Sequence, residues 1–172
     1  MKVMVLNGSA RRQGNTAAMV AAFKQGAEEA GHDVSVFEVA NMQIAGCRGC
    51  EYCHTEGAGA CVQHDDMQAI YDVWDEMDVL VLASPVYYGS ITGQLACAIH
   101  RTYALGIPKR CRKTAMILSS GAPYVYDSSR SIYEGFICGY FRTEDAGVYT
   151  AVGSQSRSPE MQERLRELGR SL

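Results

Sequence analysis

Four cysteines stand close together in the chain: Cys47, Cys50, Cys53 and Cys61, with two, two and seven residues between successive members. Thiolates are soft ligands that favour iron–sulfur clusters or zinc. Three closely spaced thiolates and a fourth can wrap a cubane; the bacterial ferredoxin run differs in bringing its fourth cysteine sooner and following it with proline. Zinc would instead take three of these cysteines with His54 or His64, and free redox-active thiols are a third reading. The remaining cysteines, Cys97, Cys111 and Cys138, are dispersed, and cysteine in that setting usually behaves as a small buried hydrophobe.

Two other segments could hold a ligand. The first is Asn7-Gly8-Ser9-Ala10-Arg11-Arg12-Gln13-Gly14-Asn15-Thr16. Small, hydroxyl-rich turns that open a helix gather backbone N–H groups at its partially positive end and so suit an anion. Ser9 and Thr16 add hydroxyls, Asn15 an amide, and Arg11 or Arg12 a cation. The segment is neither a P-loop nor a Gly-x-Gly-x-x-Gly dinucleotide fingerprint. The plain alternative is a strand–helix turn capped by Thr16 or Asn15. The second segment runs from Ser84 through Pro85, Val86, Tyr87, Tyr88, Gly89 and Ser90 to Gly93-Gln94-Leu95. Pro85 and Gly89 shape a turn, and the two tyrosines offer flat faces with polar tips to a large aromatic ligand. Alternatively, the tyrosines pack against the fold.

Strands and helices alternate around these segments. Apolar runs predict strands over Val3–Leu6, Asp33–Val39, Asp78–Ala83, Lys113–Ser119 and Gly147–Val152. Helical spacing predicts helices over Thr16–Ala30, from an Asp65 or Asp66 cap through Met67, Ile70, Tyr71 and Trp74, over Gly93–Leu105, over Ile132–Phe141, and from Ser158 or Pro159 to Leu168. Such alternation makes an α/β fold, a parallel sheet with helices on both faces. The first candidate strand order is 2-1-3-4-5, which places a ligand where strands 1 and 3 meet. The cysteine segment follows strand two, so it is expected at that same C-terminal edge. Trp74 reads as a core or subunit-contact residue; His100 and Arg101 are expected to face solvent or a partner subunit.

The 172 residues form a single domain, 1–172, with no linker or repeat. Net charge is −3 without a basic stripe, which excludes nucleic acid as an expected partner. No apolar run approaches membrane-spanning length. The chain opens directly on Lys2-Val3-Met4-Val5-Leu6, without the apolar core of a signal peptide. The expected location is the cytoplasm, where seven cysteines are not a disulfide framework.

Asn7-Gly8-Ser9, Arg11 and Gly14-Asn15-Thr16 together resemble the FMN-phosphate loop of NAD(P)H-dependent FMN reductases and iron–sulfur flavoproteins. Ser84 to Ser90 with Gly93-Gln94-Leu95 resembles their isoalloxazine loop, in the same order and separation. Ala10 departs from the proline common among relatives. The four-cysteine run, with Val62-Gln63-His64-Asp65-Asp66-Met67 after it, resembles the motif that binds a [4Fe–4S] cluster in iron–sulfur flavoproteins. The resemblance implies a flavodoxin-like three-layer sandwich. In it Ser9, Arg11, Gly14, Asn15 and Thr16 hold the FMN phosphate, and Pro85, Val86, Tyr87, Tyr88, Gly89 and Ser90 contact the ring. The loop Ser119-Ser120-Gly121-Ala122-Pro123 closes the third side, with Gly121 allowing close approach. It implies an oxidoreductase passing electrons from NAD(P)H or a reduced carrier to a flavin, quinone or electron-transfer protein, as a homodimer or homotetramer. No catalytic side chain is required, because the flavin performs the chemistry. A flavodoxin-like electron carrier and a thiol-based redox sensor are the competing readings; −3 is a mild charge for a docking carrier.

Overall fold

A computed structural model describes residues 1–172. One parallel sheet contains β1 (Lys2–Asn7), β2 (Asp33–Phe37), β3 (Val79–Pro85), β4 (Lys113–Ser120) and β5 (Glu144–Val152) in the lateral order 2-1-3-4-5. The central strands are buried on both faces, and their side chains alternate between two cores. Val3, Val5, Val79, Val81, Ala115 and Ile117 point into one core; Met4, Leu6, Leu80, Leu82, Met116 and Leu118 point into the other.

The β-branched and small face packs against α1 (Asn15–Glu29) and α6 (Pro159–Arg170) through Met19, Phe23, Leu165 and Leu168. These helices come very close together. A Cβ on Gly26 would lie 2.0 Å from the Arg166 carbonyl oxygen, and one on Gly169 would lie 2.4 Å from the Ala27 nitrogen. The face of larger side chains packs against α2 (Gln68–Tyr71), α3 (Gly93–Arg101) and a third helical stretch. That stretch joins α4 (Asp127–Ser131), a π-helical segment Ile132–Cys138 and α5 (Gly139–Phe141).

Three elements differ from expectation. The helix expected through Trp74 breaks at Val73, whose φ is −117°. The chain turns there and sets the fully buried Trp74 ring edge-on to Phe141, with its Nε1–H on the Gly106 carbonyl at 3.0 Å. The helix expected from Ile132 begins at Asp127 and widens to π geometry, which stacks Phe136 and Tyr140 at 5.2 Å between centroids. β5 begins at Glu144 because its pairing with β4 is interrupted near Gly147, where φ is +109°. That irregularity hides the strand's first residues from a reading based on alternation. No helix is long and apolar enough to cross a membrane.

Candidate functional site

The C-terminal ends of β1, β3 and β4 open into one cleft of about 560 Å³, a volume within the range of small-molecule sites. The loop after β1 is shaped by Asn7, whose Oδ1 accepts the Ser9 N–H at 3.0 Å while its Nδ2 donates to Glu38 at 2.8 Å. Burial pushes the Glu38 carboxyl above its ordinary pKa. Gly8 then passes tightly against the loop after β3. Its N–H donates to the Ala83 carbonyl at 2.8 Å and its carbonyl accepts from Thr92 Oγ1 at 2.9 Å. A Cβ on Gly8 would lie 2.5 Å from Thr92 Oγ1 and 2.8 Å from Leu95 Cβ.

The first turn of α1 lacks the side-chain cap that the plain alternative required. Its N-cap is Gly14, and no side chain caps it. Asn15 Nδ2 donates to the Gly153 carbonyl at 2.9 Å, and the Thr16 and Ser119 hydroxyls pair at 2.8 Å. From behind, Arg157 donates to the Gln13 and Gly14 carbonyls at 2.6 and 3.2 Å. A trans peptide whose carbonyl faces Arg157 turns the following Asn15 N–H the opposite way. Uncapped amides, the Ser9 hydroxyl and Arg11 thus meet at the helix's positive end, the arrangement that binds phosphate.

In the loop after β3, Tyr87 and Ser90 exchange backbone hydrogen bonds at 3.0 and 3.1 Å. Between them Tyr88 and Gly89 have φ of +51° and +77°, as in a type I′ turn. The turn throws Tyr88 fully into solvent. The cleft is accordingly lined by Ser9, Arg11, Gly14, Asn15, Thr16, Pro85, Val86, Tyr87 and Gly121, but not by Tyr88, Gly89 or Ser90. Ser119 and Ser120 join Gly121 on the third side. Gln13 and Gly153 also line it without having been anticipated: one is a loop-tip residue, and the other follows β5 outside any motif.

The cysteine segment does not stay at that edge. It crosses the helical face to the far end of α3, where Cys47, Cys50, Cys53 and Cys61 surround a narrow cavity together with Arg101 and Tyr103. No residue lines both this cavity and the cleft. Arg101, expected at the surface, is 1 % exposed and pins the segment. It donates to both Asp65 carboxylate oxygens at 2.6 and 3.1 Å, to the Ala45 carbonyl at 3.0 Å and to the Gln63 carbonyl at 3.3 Å. Burial alone would raise the Asp65 pKa, but hydrogen bonds from Arg101 and the Ala45 and Met67 amides hold it below the ordinary value. Burial also pushes the Cys53 thiol up. His54 Nε2 lies 3.0 Å from the Tyr103 carbonyl, and His64 is exposed; neither lines the cavity. All four cysteines line this cavity, and no group of three or more metal-ligating side chains comes together as a ready-made metal site. Among the dispersed cysteines Cys111 is buried, its thiol pushed up by burial to about 11, and Cys97 and Cys138 are half-buried. Beside Cys47, an apolar groove of about 460 Å³ runs between Ile99, Tyr103, Phe136, Tyr140 and Phe141.

The family described as NADPH-dependent FMN reductase matches residues 1–125. An iron–sulfur flavoprotein of Archaeoglobus fulgidus is 36 % identical over 106 residues, which are 62 % of this chain and 47 % of that protein. The chain therefore spans about half the length of the curated relatives it matches. Among solved structures, an NAD(P)H:quinone oxidoreductase from Methanothermobacter marburgensis superposes with a TM-score of 0.74 at 16 % identity, covering 99 % of this chain and 96 % of that one. A flavodoxin from the domain Archaea gives 0.62 at 16 % identity, covering 99 % and 95 %. These likenesses establish a flavodoxin-like fold.

Proposed function

Since the chain belongs to the NADPH-dependent FMN reductase family, we propose that it is an FMN-dependent oxidoreductase that takes electrons from NAD(P)H or a reduced carrier and passes them to a flavin, quinone or electron-transfer protein. The observation that carries this reading is the uncapped start of α1 opening into a 560 Å³ cleft. Its mixture of free amides, hydroxyls and Arg11 fits a phosphomonoester, and the cleft is large enough for a mononucleotide. FMN would supply two-electron chemistry that can be released singly or together. Ser9, Arg11, Asn15 and Thr16 would hold the phosphate. Pro85, Val86 and Tyr87 would line the ring from one side and Ser119 to Gly121 from the other.

The four thiols fit an iron–sulfur cluster better than zinc. A single zinc needs its sulfurs at about 2.3 Å from one centre, whereas a cubane gives each thiolate its own iron. All four cysteines line one cavity, and neither His54 nor His64 does. Cys47, Cys50, Cys53 and Cys61 would hold a [4Fe–4S] cluster, which supplies single electrons. Seven free thiols suit a reducing cytoplasm. The half-exposed rings of Phe136, Tyr140 and Tyr103 suit a homo-oligomeric contact.

Protein purified anaerobically should release free FMN on acid or heat denaturation and oxidise NAD(P)H in the presence of a quinone or dye. Release of FAD would overturn the FMN assignment, and FMN release with no turnover by either nicotinamide or a reduced ferredoxin would overturn the enzyme reading in favour of a carrier.

A further inference from the structure

Arg101 has more donors than the protein uses. A guanidinium carries five N–H groups. The two terminal nitrogens place four of them on Asp65, Ala45 and Gln63. The fifth, on Nε, is buried and has no partner. An unpaired buried donor on a charged group is costly, and this one is left free to serve an acceptor. The cavity that Arg101 lines is the one surrounded by the four thiols. Arg101 also comes from α3, not from the cysteine segment, and grips that segment on both sides of the thiols, at Ala45 and at Gln63. It is therefore placed both to fix the loop and to face whatever the loop encloses.

We propose that Arg101 is the positioning residue of an anionic metal–thiolate centre at Cys47, Cys50, Cys53 and Cys61, supplying it with a positive charge and the spare Nε–H. The inference rests on the cluster reading above. Asp65 is the counterweight: it holds the guanidinium in place and offsets part of its charge. Reduction adds negative charge to such a centre, so a nearby cation and donor stabilise the reduced form and raise its potential. The two partners consequently act with opposite sign. Removing the Arg101 charge lowers the potential; removing the Asp65 charge raises it.

The test uses the whole chain, reconstituted anaerobically with ferrous iron and sulfide. Redox titration followed by visible absorbance gives the midpoint potential of the centre, and iron release to a chelator gives its retention. Arg101→Gln should lower the midpoint and weaken iron retention by about 10- to 100-fold, as loss of an outer-shell partner does. Asp65→Asn, which keeps an oxygen for the guanidinium, should raise the midpoint. Arg101→Lys should recover much of the Arg101→Gln shift. If Arg101→Gln fails to fold, Asp65→Asn still decides the sign. Shifts of the same sign, or unchanged potentials with an intact centre, would reduce Arg101 to a loop anchor and overturn this inference alone. Wild-type protein that takes up no iron and sulfide would defeat the cluster reading and the inference together.

Discussion

Arg11 is the one cation among the residues lining the cleft, which also include Gly14, Asn15 and Thr16 at the uncapped start of α1. Its removal is a cleaner probe than removal of Thr16, whose hydroxyl also ties α1 to β4 through Ser119 at 2.8 Å. A hydrogen bond to a charged group contributes about 1.5–3 kcal/mol, or roughly 10- to 150-fold in affinity. Arg11→Ala should therefore weaken FMN by that factor, leave riboflavin nearly unchanged, and leave the melting temperature alone. Equal losses for both ligands, measured by flavin fluorescence quenching, would mean the phosphate is held elsewhere. At this scale local spacing singles out Ser9 and Gly14, which line the cleft, and the four cysteines, which line one cavity. It was silent where one side chain reaches across the fold. Arg101 meets Asp65 across 36 positions and Arg157 meets Gln13 across 144, and nothing local distinguishes either arginine from a solvated one. Tyr88 is a case where backbone geometry, and not residue type, sets direction. Its type suits a flat ligand, but the positive φ values at Tyr88 and Gly89 aim it at solvent.

The elements were most legible where burial forces a pattern. β1, β3 and β4 are continuous apolar runs because both their faces are covered, and their alternating faces carry two distinct cores. The π-helical widening at Ile132–Cys138 and the interruption at Gly147 leave no such signature, since each is fixed by tertiary packing. The contact of α1 with α6 is another feature of packing. Gly26 and Gly169 allow backbone-to-backbone approach that no other residue permits. Gly26→Ala would place a methyl 2.0 Å from the Arg166 carbonyl oxygen, and backbone cannot yield as a flexible side chain does. The helices must separate, a core overpacking that costs about 1–3 kcal/mol. Gly135→Ala, with nothing within 4 Å of the new methyl, is the control and should not destabilise. Thermal unfolding should therefore show a clear drop for Gly26→Ala alone; similar melting temperatures would mean that α6 docks more loosely than the structure has it.

Across the whole molecule, the alternation of strands and helices implies a parallel sheet; the order 2-1-3-4-5, its first candidate, is the one observed, with the cleft at the β1–β3 junction. The position of the cysteine segment does not. Chain order places it after β2, which implied the same edge as the cleft. The segment is instead drawn down the helical face, where Gly46 passes Cys97 of α3 and Arg101 and Tyr103 line its cavity. α3 begins at Gly93, next to the Thr92 that bonds Gly8 at the cleft, and ends at Arg101. At 1.5 Å per residue its nine residues set the two sites about 13 Å apart along the helix. Sites this far apart, with no shared lining residue, should respond to mutation independently. Cys50→Ala should abolish or degrade any iron centre and leave one FMN per chain, and Arg11→Ala should weaken FMN and leave iron and sulfide content unchanged. The double variant should lose both by the amounts of the single variants. Iron, sulfide and flavin analysis of the three proteins reads all of this at once. Loss of flavin from Cys50→Ala, with folding intact by circular dichroism, would show that the cysteine segment supports the cleft across the fold and that the two sites are one unit.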